Sequence, residues 1–357
     1  MKTTRTTLRT RGGLSVRLDP RTLTVVALLL LIALAASVAL IGTGDFSIPP
    51  GDVLRTLLGD GDARQEFIVT ELRLPRVLVG LLVGGSLGLG GALFQSISRN
   101  PLGSPDILGL GQGSTAGALV VIVLFSGGAT QVALGALVGG LVTGLAIYLL
   151  AWKQGVHGYR LVLVGIGVSA IVTAVNGYLL TKADIVDATR AIVWMTGSLG
   201  GRDWEQVWPL LALWAVLVPL VLGQARALRV TEMGDDVAYA LGVRVERVRL
   251  LLMVAAVLLT AGATAAAGPV GFVALTAPQL ARRMILPRRR GSAGAAPLSG
   301  PHLMTSMVMG ATLLVVADWA SQQLFGADQL PVGVVTGVLG GGYLLWLLVT
   351  ERRAGRI

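Results

Sequence analysis

A chain of 357 residues that is 54% hydrophobic and only 13% charged cannot cover itself in water, because a soluble domain keeps roughly a quarter of its residues charged. The absence of cysteine excludes a disulfide framework, a thiolate nucleophile and a Cys-based metal site. The two histidines, His157 and His302, form no ligand cluster and read as loop residues near a membrane surface. The net charge of +10 could suggest nucleic acid, but its placement along the chain points to a lipid bilayer instead.

The N-terminal 21 residues hold six Lys/Arg and run straight into an apolar segment at 23–41. That segment is long enough to cross a hydrocarbon layer of roughly 30 Å and longer than a signal-peptide core, so it is expected to be a retained first helix. Further spans are predicted at 77–97, 107–125, 131–152, 161–180, 207–222, 250–267, 270–285, 303–325 and 332–350. The stretch 270–285 is the weakest, being short and entered through Gly268-Pro269. It reads either as a crossing or as a continuation of the preceding hairpin. The expected fold is all-α and polytopic, with about ten transmembrane helices in one domain over 23–350, a basic tail over 1–22 and a short tail over 351–357. With the N-terminus placed in the cytoplasm and sides alternated, the inside segments hold 22 of the 29 Lys/Arg. Both termini are therefore expected in the cytoplasm.

Two loops are too patterned to be passive. In the inside loop 223–249, acidic residues open a run with apolar residues at helical spacing and a glycine at its end, from Met233-Gly234-Asp235-Asp236 to Ala240-Leu241-Gly242. This describes a short capped helix that either docks in a partner's groove or rests on lipid headgroups. The outside loop 181–206, with Trp194, Gly197, Ser198, Leu199 and Gly200, is expected to fold as a small cap. A faint internal repeat pairs Asn100-Pro101 and Pro105 with Gly268-Pro269 and Pro278.

No catalytic constellation is present. The phosphate-cradling G-x-x-x-x-G-K-[ST] pattern is missing, since none of Lys2, Lys153 and Lys182 follows a glycine. The chain is read as no enzyme, binding no cofactor or metal itself. Gly80, Gly84 and Gly88 clear one helix stripe for tight packing. Gly165, Ser169, Thr173 and Asn176 share a face that either hydrogen-bonds another helix or lines a pathway. Gly333 and Gly337, with Thr336 beside them, make a similar small face that continues to Gly341. Of two carboxylates near spans, Asp106 is expected to cap the third helix. Asp318 is a buried charge needing a partner from another helix, with a proton relay as the alternative.

Arg73-Leu74-Pro75-Arg76, Gly91-Ala92-Leu93-Phe94-Gln95 and the run from Arg99-Asn100-Pro101 to Asp106-Ile107-Leu108-Gly109 resemble the FecCD-type permeases. The likeness continues through Met233-Gly234-Asp235-Asp236, Gly268-Pro269-Val270-Gly271-Phe272 and Gln329-Leu330-Pro331-Val332-Gly333, and covers nearly the whole chain. These are membrane subunits of type II ATP-binding cassette importers for ferric siderophores, haem and cobalamin, and the segment 232–247 is similar to the ferric-enterobactin branch. The resemblance implies a separate ATPase subunit dimer that binds ATP and is met by Met233, Gly234, Asp235, Asp236, Ala240, Leu241 and Gly242. It also implies an extracytoplasmic siderophore-binding protein met by Arg73 and Arg76, and a homologous second permease, with a heterodimer favoured. Two departures stand out: Gln322 occupies a position that is often basic, and Pro278-Gln279 replaces a common Pro-His.

Overall fold

Asp19 starts the first span. Its carboxylate accepts from the Arg21 N–H, and Pro20 occupies the first turn, where a backbone N–H would have no helical partner. In the computed structural model, which describes residues 6–9, 15–44, 46–152, 158–285, 302–324 and 330–353, this helix is α1, Pro20–Gly42. Helices α2 (Pro50–Leu57) and α3 (Ala63–Glu66) lead through a π-helical stretch, Phe67–Arg73, into α4 (Leu74–Ser98). Then come α5 (Leu110–Phe125), α6 (Ala129–Ala151), α7 (Gly158–Lys182), α8 (Ile185–Met195) and α9 (Trp204–Gly223). Two short helices, α10 (Ala225–Thr231) and α11 (Asp235–Ala240), precede α12 (Val245–Ala267), α13 (Val273–Ile285), α14 (Leu303–Leu324) and α15 (Val332–Arg353). An antiparallel hairpin, Thr6–Arg9 against Ser15–Leu18, lies inside the segment read as a basic tail. His157 and Gln329 lie outside the described residues.

Each of the ten predicted spans corresponds to a helix, and seven are long and apolar enough to cross a membrane by length and composition. Side-chain bonds show which ends lie together. Arg73 donates to the carbonyls of Ile41 and Phe46, Arg76 to Asp318, and the Trp204 indole to Thr70 O, so α1 and α14 end where α4 and α9 begin. This is the distal face. Arg99 and Arg249 both reach Asp235, which gathers the end of α4, α11 and the start of α12 on the opposite face. On the distal face α15 opens, with Gly333 N–H donating to Gly197 O, and next to it Ser198 N–H donates to Ala267 O at the end of α12. The end of α15 and the start of α1 therefore share the opposite face, here called the terminal face. The loop 181–206 folds back on the distal face: α8 is held by Asp184, which accepts from Val186 and Asp187 N–H, and Leu199 behind it is buried.

Helix α4 is the axis of the packing. The apolar window of its helix is 89% buried, against 17% for α7. The glycine stripe faces α14, as small residues in lipid require: Gly84 meets the backbone of Gly310, and Gly88 that of Ser306 and Gly310. Gly91 abuts the Ala274 backbone of α13, and Gly85 takes the Trp214 ring, whose indole N–H donates to Ser86 Oγ at 2.7 Å.

The weak span is resolved as a broken one. α13 is a 13-residue helix entered through the non-helical residues 268–272, where Gly268 (φ 75°) and Phe272 (φ 67°) are left-handed. Non-helical backbone in a spanning segment is tolerated only inside protein or beside a water-filled cavity, and here α4 and the partly buried loop 101–109 supply the partners. Gln95 donates to Leu275 O, Gln279 to Pro101 O, and Phe272 N–H to Asp106 Oδ2 at 3.2 Å. The expected cap role of Asp106 is thereby corrected. α5 begins four residues later behind a left-handed Gly109, and the carboxylate bridges instead to the other broken span.

Candidate coupling site and pathway

The patterned loop 223–249 folds into α10 and α11 on the terminal face. Gly234 (φ 124°) and Gly242 (φ 77°) flank α11, in backbone conformations that side chains resist. Only Ala238 of this helix is buried. Met233, Val237, Tyr239 and Leu241 are 56%, 41%, 54% and 63% exposed, and Asp236 and Ala240 also face outward. The helix has too few residues to be stable alone, so its position comes from its anchors.

Those anchors converge on Asp235. The sequence suggests that its acidic start caps the helix, but Gly234 is the N-cap and makes no side-chain bond. Asp235 instead accepts from Arg249 Nη2 at 3.0 and 3.1 Å, and from Arg99. Arg249 also meets Glu246 at 3.0 Å, and Arg99 donates a second bond to Thr231 O at 2.7 Å. Partial burial pushes the Asp235 carboxyl up, but the bonds and charge of Arg249, with Arg99, outweigh it and hold the group below the usual carboxylate range. Sequence reasoning missed both arginines as members of this site: nothing local marks the Arg99 contact across 136 residues, and helical spacing does not pair Arg249 with an acid 14 positions before it.

On the distal face, both predicted docking arginines have partners inside the chain. Arg76 forks onto Asp318, with a side chain 20% exposed against 1% for the acid. Gln322, one turn on, approaches Asp318 Oδ2 at 3.5 Å. Arg73 closes the end of α1 through the Ile41 and Phe46 carbonyls.

The small polar face of α7 is largely a helix seam. Gly165 packs on Leu108, Ser169 on Gly109, and Asn176 Nδ2 donates to the Gln112 carbonyl and side chain at 3.2 Å, all on or just before α5. Thr173 alone of the four is exposed. Asn176 thus has the protein partner that a polar atom in hydrocarbon takes when one is in reach, and Gly165 closes on the segment before α5. On α15, Gly333 closes on Thr196 and Gly197, Thr336 bonds back to Gly333 O, and Gly337 borders open space.

A ten-span bundle with broken helices meeting at depth, and a rigidly anchored exposed helix on one face, defines a multi-pass membrane transport permease. The FecCD transport family matches residues 27–350, and the chain belongs to that family. It is 46% identical over 334 residues to the ferric enterobactin transport system permease protein FepG of Escherichia coli, covering 93% of this chain and 98% of that one. It is 37% identical over 344 residues to the achromobactin transport system permease protein CbrC of Dickeya dadantii, covering 96% of each. A solved metal-chelate type ABC transporter in an inward-facing conformation superposes with a TM-score of 0.77 at 25% identity, covering 92% of this chain and 99% of that one.

Proposed function

We propose that the protein imports ferric siderophores of the catecholate type across the cytoplasmic membrane, as one permease half of an ATP-driven transporter. Its kinship with siderophore permeases supports the cargo. The observation that carries the mechanism is α11, a six-residue helix with exposed apolar side chains, locked to two spans through Asp235. An ATPase subunit seats on that helix, binds ATP and moves it. The terminal face is cytoplasmic, in keeping with the placement of Lys and Arg along the chain. A binding protein docks on the distal face, where a second carboxylate can approach the partly exposed Arg76 while Asp318 holds it. The second permease is a homologous, different chain, and the pathway runs between the two subunits past the sparsely buried α7 and the open side of α15.

The test is uptake of radiolabelled ferric enterobactin in cells that lack their own permease and express this chain with its ATPase, second permease and binding protein. Restored uptake that stops on ATP depletion is the expected result. Uptake that survives ATP depletion and collapses with an uncoupler would replace this reading with proton-driven transport through Asp318. Uptake of cobalamin or haem in place of the siderophore would overturn the cargo.

A further inference from the structure

We infer that α4 is the strut that carries movement of α11 through the bundle, and that Arg99 is the positioning residue that fastens it to α11. This rests on the reading that α11 seats an ATPase subunit.

Arg99 ends α4 in a left-handed conformation (φ 50°, ψ 30°), a place where glycine is usual and an arginine is strained. The side chain found there bridges two acceptors on the coupling segment, Thr231 O at the end of α10 and the Asp235 carboxylate at the start of α11. Arg249 holds the same carboxylate from α12. With Ala238 as its only buried residue, α11 has little apolar grip of its own, so displacement leaves it through Asp235 into α4 and α12.

Of those two, α4 reaches furthest. Its 25 residues make a rod of about 37 Å. Along that rod, Gly84, Gly88 and Gly91 put backbone against the backbone of α14 and α13, with no side chain between them to yield. At the distal end Arg76 clamps α14 through Asp318. The rod is thus charge-paired at both ends, to α11 on one face and to the α14 terminus on the other. A shift at Arg99 is delivered to α13, whose broken entry at 268–272 can change shape, and to the distal face.

The experiment uses the complete transporter in lipid nanodiscs with Arg99→Ala, Arg99→Gln and Arg99→Lys. ATPase subunit binding, basal hydrolysis, binding-protein-stimulated hydrolysis and uptake in vesicles are measured. Because the chain has no cysteine, spin labels on Leu72→Cys and Ile185→Cys, both exposed, report ATP-linked distance changes on the distal face. Arg99→Ala and Arg99→Gln are expected to lose about tenfold in the ratio of stimulated to basal hydrolysis and in uptake per bound ATPase subunit, and lose the ATP-linked distance change, with Arg99→Lys restoring most of both. If neutral variants couple like wild type, or if Arg99→Lys is no better than Arg99→Gln, the strut assignment is wrong. Should Arg99→Ala fail to assemble, the Gln and Lys variants decide by the same criterion. A wild-type complex that does not bind the ATPase subunit would instead overturn the seating of α11.

Discussion

Arg76 and Asp318 lie 242 positions apart in the chain and meet through both prongs of the guanidinium, Nε to Oδ2 at 2.9 Å and Nη2 to Oδ1 at 2.7 Å. The planar fork matches the carboxylate, so the pair fixes the rotation of α4 against α14 as well as their spacing. It also gives the intramembrane acid the partner its burial demands.

Removing one member of this pair should cost more than removing both. Arg76→Ala leaves a carboxylate 1% exposed with Gln322 as its one remaining side-chain partner among the described residues, and a loss of about 3 kcal/mol is expected, at the low end of the range for broken buried pairs because Arg76 keeps some solvent. Asp318→Asn removes the charge but keeps an acceptor, so it should cost less. The double variant Arg76→Gln/Asp318→Asn should recover part of the loss. Thermal unfolding in detergent, read as a double-mutant cycle, measures the coupling; additive losses would contradict it.

The glycine stripe makes a sharper prediction. A Cβ on Gly84, Gly88 or Gly91 would press on backbone of α14 or α13, which cannot swing aside. Alanine at Gly88 or Gly91 should cost roughly 1–3 kcal/mol, or more where the helices must separate, and valine should abolish folded protein. Gly111 and Gly167, which face open space, should accept alanine without loss. Yield and melting temperature of the four alanine variants test this, and equal behaviour across the set would refute the packing argument.

The spans were legible because lipid imposes a simple demand: apolar runs long enough to satisfy their own backbone. The same rule made 270–285 ambiguous, since its helix has only 13 residues behind a non-helical entry, and the stretch is tied down from outside by Gln95, the Pro101 carbonyl and Asp106. Periodicity told which residues share a face but not what the face meets. Gly165, Ser169 and Asn176 do share a face, and what it meets is α5 and the segment just before it. Long-range pairs carry no local mark. Asp318 announced its need for a donor without naming Arg76, and Arg99 showed nothing of its bond to Asp235.

Asp106 and Phe272 join the two broken spans. Phe272 is held at φ 67°, and its N–H has the Asp106 carboxylate as acceptor. Asp106→Ala would leave that N–H without its partner and should destabilise the protein by about 1–3 kcal/mol. Asp106→Asn keeps an oxygen acceptor and should lose less. Phe272→Gly removes the left-handed strain but also the ring beneath Gly340, so the sign of its effect tells which contribution is larger. Protease sensitivity at 268–272 is the direct readout, and an unchanged cleavage rate in Asp106→Ala would sink the bridge.

The Asp235 cluster should give α11 an acid-labile anchor. Its carboxyl titrates below the ordinary value when folded, because Arg249 and Arg99 outweigh the effect of burial. Such a group binds its proton more readily in the detached state. Its contribution to holding α11 is therefore complete above the ordinary aspartate pKa of about 3.9 and is lost as pH falls through the lower folded value. Hydrogen exchange of the α11 amides, corrected for the intrinsic rate, should be flat from neutral pH down to about 5 and should rise steeply only below about 4. Asp235→Asn should exchange faster at neutral pH and show no further acid step. A step of the same size in that variant would refute the assignment of the acid lability to Asp235.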